Sequence, residues 1–247
     1  MTVRFGIDIG GSGIKGAPVD LDNGELAADR HRIRTPQPAK PRPVMEVAAA
    51  VVAHHGWDGP VGCAFPAIVQ HGVVLSAANV DDEWIGVDGA ALLADIVGHE
   101  TALLNDADAA GLAEMRYGAG RDQRGVVMTL TFGTGIGSGM FVDGVLVPNS
   151  ELGHLELDGE VAEDRAAARL VERDDMDLSD WLPRVDRYLG HLERLFSPDL
   201  FIFGGGISKR FDEFAGAFTT RAPVVPAKLR NQAGIVGAAL AAYERFG

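Results

Sequence analysis

The sequence predicts an α/β protein of two lobes, and three observations carry that prediction. Val3 to Ile9 reads as a strand that runs into Gly10-Gly11-Ser12-Gly13-Ile14-Lys15-Gly16. A similar strand and glycine run recurs at an offset of 123 residues, which sets Gly133 on Gly10 and Gly139 on Gly16. Between and after them, short apolar segments alternate with stretches of helical spacing, the pattern of sheets covered by helices. The recurrence points to two similar subdomains; the competing reading is a chance likeness of two glycine-rich hairpins.

The elements follow in order. Strands occupy the chain to about Ile33-Arg34-Thr35, with Asp22-Asn23-Gly24 as a hairpin turn. Pro36 to Pro43 carries prolines at 36, 38, 41 and 43 and reads as an extended connector. Pro43 suits a first helical turn, and Val44, Val47 and Val51 continue at helical spacing to about His54. Val61 to Ile68 and Val73 to Leu75 read as strands, and Asp88 as the cap of a helix through Val97. Thr101 to Leu104 is a strand ending in Asn105-Asp106, followed by a helix over 107–117 that Gly118 closes. Gly125 to Phe132 is a buried strand running into a glycine loop, Gly133 to Gly139, then a hairpin turn at Asp143-Gly144. One helix is expected near Val161 to Val171 and a second over Leu178 to Phe196. Asp199 to Phe203 is a buried strand, Lys209 to Arg221 a helix with Phe211, Phe214 and Phe218 on its core face, Val224 to Ala227 a strand, and Ile235 to Phe246 the last helix.

Composition narrows the function. The chain has 247 residues, 47% hydrophobic and 23% charged, ordinary for one large or two small globular domains. No apolar run is long enough to span a bilayer, and no signal peptide precedes the first strand, so no membrane role and a cytoplasmic location are expected. The single cysteine, Cys63, excludes a disulfide or a multi-cysteine metal cluster within one chain and reads as a small core residue. A net charge of −13 argues against nucleic acid as a partner, and a long polyanion would need a local basic patch.

The chemistry lies in the glycine turns. Gly11-x-Gly13-x-x-Gly16 has dinucleotide-binding spacing, but that loop must open a helix, and here a hairpin follows. No Gly-Lys-Ser/Thr ends the run, so it is not a P-loop either. What remains is a β-hairpin whose turn either holds phosphate by backbone N–H groups or is an ordinary turn. Three such turns each follow an apolar strand: Gly10–Gly16, Gly133–Gly139 and Gly204-Gly205-Gly206. Three anion cradles suit phosphoryl transfer, which is mostly positioning and electrostatics. Asp8 ends the first strand, where a carboxylate holds Mg²⁺ directly or through water. Asp106, between a strand and a helix, is either a general base or, with Asp108, a helix cap. Asn79, Glu151, His154 and Glu156 form a polar set of the kind that exchanges hydrogen bonds with sugar hydroxyls, with His154 equally readable as structural.

Together these residues resemble the ROK family (repressors, open reading frames, sugar kinases), within the actin-like ATPase superfamily, over nearly the whole chain. The Asp8 loop is similar to the family's first phosphate motif, Leu130-Thr131-Phe132-Gly133-Thr134-Gly135-Ile136-Gly137 to the second, and Phe203-Gly-Gly-Gly-Ile-Ser208 to the glycine-rich nucleotide-side segment. Leu104-Asn105-Asp106-Ala107 resembles the catalytic-base segment, Glu151-Leu152-Gly153-His154 the sugar-binding Glu-x-Gly-His, and Ala77-Ala78-Asn79-Val80 with Trp84 the segment contacting sugar hydroxyls. The chain starts in the first strand, without the helix-turn-helix of ROK repressors. Leu155 to Arg173 holds no cysteine where typical ROK kinases carry a zinc loop, so no structural zinc is expected and His154 is left for sugar. That loss, with the glycine motifs, resembles the polyphosphate glucokinase subgroup, whose members phosphorylate glucose at O6 from inorganic polyphosphate, with or without ATP as second donor.

The resemblance implies an actin-like, ribonuclease H-like fold of two lobes around an interdomain cleft, 1–108 and 109–247, with the final helix (233–247) returning to the first, and a homodimer. Glucose is then held by Asn79, Asn105, Asp106, Glu151, His154 and Glu156, with Asp106 taking the 6-hydroxyl proton. The donor phosphates lie on Gly10, Gly11, Ser12, Gly13 and Lys15, on Thr131, Gly133, Thr134, Gly135 and Gly137, and on Gly204, Gly205 and Gly206, with Mg²⁺ near Asp8. Lys15, Lys209, Arg210, Lys228 and Arg230 either guide a polyphosphate chain or form an ordinary solvated surface.

Overall fold

Strand pairing in the computed structural model, which describes residues 2–78 and 80–247, turns the repeat into two sheets of matching order. In the first half, β1 (Val3–Gly10) and β2 (Gly13–Asp20) form an antiparallel hairpin, extended by β3 (Glu25–Leu26) and β4 (His31–Ile33), both on β2. The connector that follows is shorter than expected, because α1 (Pro41–His54) starts at Pro41. Proline lacks only an N–H that a first turn leaves unpaired, so two prolines fit there. β5 (Val61–Phe65) stops before Pro66, which has no N–H for a ladder, and a small hairpin of β6 (Val69–Gln70) and β7 (Val73–Val74) follows. Asp88 caps α2 (Gly89–Val97) by accepting from Ala91 N at 2.8 Å. β8 (Thr101–Asn105) then pairs with β5 in parallel, as β5 does with β1, and leads into α3 (Asp106–Tyr117).

The second half repeats the scheme. β9 (Val126–Phe132) and β10 (Ile136–Val142) are the antiparallel hairpin, with β11 (Val145–Val147) at its edge. The loop expected over Gly133–Gly139 is shorter: Gly137 and Gly139 lie inside β10, opposite Thr131 and Thr129. A small hairpin of β12 (Glu156–Leu157) and β13 (Glu160–Val161) comes next. The helix expected near 161–171 is two, α4 (Ala162–Ala166) and α5 (Arg169–Glu172), since the chain turns extended at Ala167. α6 (Leu178–Phe196) matches its apolar spacing, and β14 (Leu200–Gly204) adds to β9 in parallel. The helix expected over Lys209–Arg221 is instead a 3-10 helix, Gly206–Glu213, followed by irregular chain. β15 (Val224–Pro226) completes the sheet and α7 (Ala233–Phe246) ends the chain. The first sheet runs β3-β2-β1-β5-β8 and the second β11-β10-β9-β14-β15, two antiparallel pairings followed by two parallel ones in each.

Contacts divide the chain into Met1–Ala113 with Asn231–Gly247, and Glu114–Arg230. The first unit buries Phe5, Ile7, Val44, Met45 and Phe65 together, with α7 laid on β1, β5 and β8. That helix approaches the sheet backbone so closely that a Cβ at Gly62 would lie 1.7 Å from the Ala238 carbonyl oxygen, and one at Gly6 would lie 1.9 Å from that of Ile235. The second unit is held by stacked aromatics: Phe132 and Phe203 lie 4.4 Å apart, with Trp181, Phe211 and Phe214 against Phe203. Among the described residues, no helix is long and apolar enough to cross a membrane.

Replacing Gly62 by Ala is expected to push α7 off the sheet and to cost about 3 kcal/mol, at the upper end of overpacking. A urea midpoint lowered at unchanged slope is the expected result; an unchanged midpoint would disprove the close packing.

Candidate active site

In the first unit, β1 and β2 meet at the exposed turn Gly11-Ser12, where Gly10 pairs with Gly13. All three carbonyl oxygens of residues 10–12 are taken by side chains from the segment after β3. Thr35 Oγ1 donates to Gly10 O at 2.5 Å, Gln37 Nε2 to Gly11 O at 3.3 Å and Arg32 Nη2 to Ser12 O at 2.9 Å. Arg32 is in reach because β4 pairs with β2, which sets it opposite Lys15. With the oxygens occupied, the groups the turn has left to offer are N–H donors, which suit an anion.

Asp8 faces Lys15 across the hairpin, its Oδ2 2.9 Å from Lys15 Nζ. Lys15 Nζ also donates to Asn231 O at 3.2 Å, so this lysine is held beside Asp8 rather than extended toward a long chain. Gly234, in the first turn of α7, makes room for the carboxylate: a Cβ there would lie 2.6 Å from Oδ2. Among the described residues, no group of three His, Cys, Asp or Glu side chains is disposed to hold a metal ion. Asp8 therefore offers one carboxylate, which fits Mg²⁺ brought in on phosphate oxygens and water, a habitual mode for that ion, and not an all-protein cage.

The cap of α3 is Asn105, not Asp106 or Asp108. Asn105 Oδ1 accepts from Ala107 N at 2.8 Å and Asp108 N at 3.1 Å, and Nδ2 donates to Ala67 O at 3.1 Å. Asn105 is buried with its amide engaged in this scaffold, whereas Asp106 is half-buried as the first residue of the helix. Asn79 lies outside the described residues. Trp84, near it in sequence, is fully buried, donates Nε1 to Ala39 O at 2.8 Å and packs 4.4 Å from Phe65, a core role. Cys63 is buried in β5, where desolvation, then the charge of Asp8, pushes its thiol far up, leaving it inert.

The second unit holds its turn by other means toward the same end. Arg169 N donates to Gly133 O at 3.0 Å, the Arg169 guanidinium to Thr134 O, and Gly133 N to Gly135 O at 3.0 Å. Glu163 Oε2 accepts from Ile136 N at 3.0 Å, and a Cβ on Gly135 would lie 2.3 Å from that oxygen. Thr131 Oγ1 donates to Gly137 O within the sheet at 3.3 Å, so Thr131 and Gly137 brace the hairpin and stand behind the turn proper.

The Glu-x-Gly-His segment, a 3-10 turn at Leu152–His154, is pinned to β10. Leu152 N donates to Ser138 Oγ at 2.9 Å, and a Cβ on Gly153 would lie 2.2 Å from Ile136 O. This brings Glu151, His154 and Glu163 together: His154 Nε2 is 3.8 Å from Glu151 Oε2 and His154 Nδ1 is 3.7 Å from Glu163 Oε1. Burial raises the Glu151 pKa; His154 works against that rise and Glu163 adds to it. Glu156 is exposed on β12, outside this group of contacts. Glu163, Arg169 and Arg32 were not foreseen: each acts on backbone atoms 20 to 36 positions away, which no local spacing reveals.

The third turn is built on Gly205, whose φ of +91° with ψ 177° is open only to glycine and where a Cβ would lie 2.0 Å from Phe132 O. Gly205 O accepts from Ser208 Oγ at 2.8 Å and Ser208 N at 3.2 Å. Beside it, Ser208, Lys209, Val225, Ala227, Lys228 and Arg230 line a cavity of about 510 Å³. The basic residues thus divide. Lys209, Lys228 and Arg230 share the cavity, while Arg210 turns to Glu213, with Nη2–Oε2 at 2.8 Å.

The chain is 53% identical over 238 residues, 96% of its length and 90% of the relative's, to the polyphosphate glucokinase of Mycobacterium tuberculosis (strain ATCC 25618 / H37Rv). It is 51% identical to that of Mycobacterium leprae (strain TN), over 96% of this chain and 74% of the relative. The crystal structure of an inorganic polyphosphate/ATP-glucomannokinase from Arthrobacter sp. strain KM superposes with a TM-score of 0.94 at 52% identity, covering 99% of this chain and 100% of that one. The ROK family model matches residues 4–174. With that match, these relatives and an actin-like ATPase fold, the chain belongs to the ROK family.

Proposed function

We infer that the protein phosphorylates glucose at O6 with inorganic polyphosphate as donor, ATP serving as a second donor, and releases glucose 6-phosphate. One observation in the molecule carries the phosphoryl-transfer part: both glycine turns have their carbonyl oxygens tied to donors, so each presents N–H groups to a ligand. The names of the relatives at 51–53% identity support the donor and the sugar. The name of the solved polyphosphate/ATP-glucomannokinase favours mannose as a second acceptor.

Asp106 accepts the proton of the glucose 6-hydroxyl as that oxygen bonds to the terminal phosphorus of the donor. The bond from this phosphorus to its bridging oxygen breaks, and the shortened donor leaves with the electron pair. Asn105 holds Asp106 at the start of α3 through the cap. Glu151 and His154, with Glu163 beside them, take sugar hydroxyls; Asn79 and Glu156 are assigned to the same sugar by resemblance alone. The turns at 10–13, 133–135 and 204–206 neutralise the phosphate oxygens. Asp8 would hold Mg²⁺, directly or through water, and the ion would supply positive charge at the donor phosphates. Lys209, Lys228 and Arg230 receive the donor chain in their cavity. A homodimer accords with the family and with the exposed valines of the β10–β11 edge, Val142, Val145 and Val147. A cytoplasmic setting accords with a reduced, buried Cys63.

The test is product formation by the purified protein with Mg²⁺, comparing ATP-free polyphosphate with polyphosphate-free ATP, each with glucose and with mannose. Glucose 6-phosphate from polyphosphate is expected. Product from ATP alone would return the enzyme to the ordinary glucokinases, and product from neither would defeat the reading. Asp106→Asn is expected to leave glucose binding near normal and to lower kcat by roughly 10²-fold or more; near-wild-type turnover would remove Asp106 as the base. Because burial raises Glu151, its ionised form, the acceptor of sugar hydroxyls, is lost as pH falls through a window above the ordinary carboxylate range. The glucose KM should rise on that acid side and stay flat above it, and Glu151→Gln should abolish the pH dependence; an acid limb surviving in the variant would reassign it.

A further inference from the structure

The second unit contains a charged side chain with no part in the roles above. Glu114, in α3, is 2% exposed. Among the described residues it has no cationic partner; its carboxylate accepts two backbone N–H groups from two different loops. Oε2 takes Ala119 N at 2.9 Å, in the turn after α3, and Oε1 takes Leu229 N at 2.7 Å, in the loop after β15. Gly118 lies against the same carboxylate, since a Cβ there would sit 2.0 Å from Oε2.

Three features set this carboxylate apart from packing. Burying an ionised group is costly unless every oxygen is well bonded, and an apolar residue would fill the space at less cost. Both partners are N–H donors, so the site needs an acceptor at each end. A carboxylate is acceptor-only, whereas a carboxamide would turn its own N–H₂ toward one of them. And the two loops it joins are those that wall the cavity: Ala119 lines it, and Leu229 stands between Lys228 and Arg230, which both line it. Arg230 itself has a left-handed φ of +50°, a conformation uncommon outside glycine that needs the surrounding chain to hold it.

We propose that Glu114 is a positioning residue for the phosphoryl donor, fixing by its two hydrogen bonds the loop that aims Lys228 and Arg230 into the cavity. Its negative charge would repel a polyanion, so its contribution is geometric, through the loop and not through contact with the donor. The proposal rests on the reading of that cavity as the donor's, and the test separates the two.

Kinetics of Glu114→Gln and of the double variant Lys228→Ala/Arg230→Ala are measured with tripolyphosphate, long polyphosphate and ATP. Hydrogen exchange at the Ala119 and Leu229 amides is followed alongside. Glu114→Gln should raise the donor KM about tenfold, the scale of one lost hydrogen bond to a charged group, with the glucose KM within about twofold and faster exchange at Leu229. Faster exchange with an unchanged donor KM, while the double variant raises it, would overturn the positioning role and keep the cavity reading. An unchanged donor KM in the double variant would overturn the cavity reading itself, and the proposal with it. Should Glu114→Gln not fold, wild-type enzyme decides: tripolyphosphate should slow exchange at both amides and glucose alone should not, and equal effects of the two ligands would refute the proposal.

Discussion

The structure depends on what becomes of six carbonyl oxygens. A tight glycine turn presents backbone oxygens and N–H groups to the same small region, and a polyanion tolerates only the second. Each oxygen left without a donor would repel the ligand and, if buried, would cost on the order of 1–3 kcal/mol. In the first turn the donors are Thr35, Gln37 and Arg32; in the second they are the backbone and guanidinium of Arg169 and the N–H of Gly133. Much of the surrounding architecture is what brings those donors there. β4 pairs with β2 and so delivers Arg32, and the break between α4 and α5 sets Arg169 behind Thr134.

The two halves therefore share a sheet order and a requirement while meeting the requirement differently. The first half uses a third strand on its hairpin; the second uses a helical segment after the Glu-x-Gly-His turn. That second solution links two chemistries in one unit. Glu163 bonds Ile136 N at the end of the turn and stands 3.7 Å from His154, so one carboxylate touches both the phosphate turn and the polar group assigned to sugar.

Much of this was legible in the residues. The strands, the β-hairpin reading of Gly10–Gly16 against a dinucleotide loop, and the 123-residue offset all follow from alternation and turn chemistry. The offset carries the start of β2 at Gly13 onto the start of β10 at Ile136. What failed, failed where tertiary pairing outweighs local composition. Gly137 and Gly139 look like loop, yet strand pairing with Thr131 and Thr129 keeps them in β10. Lys209–Arg221 has helical aromatic spacing, but Phe211 reaches the core from a 3-10 helix that Gly205 starts abruptly, and Phe214 from the residue just after it. The capping role of Asn105, by contrast, is set by β8 running into α3 and is not legible in local spacing. Arg210, open in the sequence between guiding a donor chain and an ordinary solvated surface, is ion-paired with Glu213 three residues on.

These contacts also explain how a chain of net charge −13 can handle a polyanion. The overall charge acts at long range, where salt screens it beyond roughly 8–10 Å. Each unit offers a turn whose oxygens are withdrawn, and the second also has a cavity lined by three cations, none of which is ion-paired among the described residues. Neutral N–H groups can bind phosphate without adding formal charge, so the attraction a turn offers lies in its backbone geometry, which side chains of this protein hold. Glu114, Glu163, Arg169 and Arg32 each spend a charged group on backbone atoms rather than on one another. Several charges of the molecule thus hold backbone, Arg32 from an exposed position and Glu114 from a buried one.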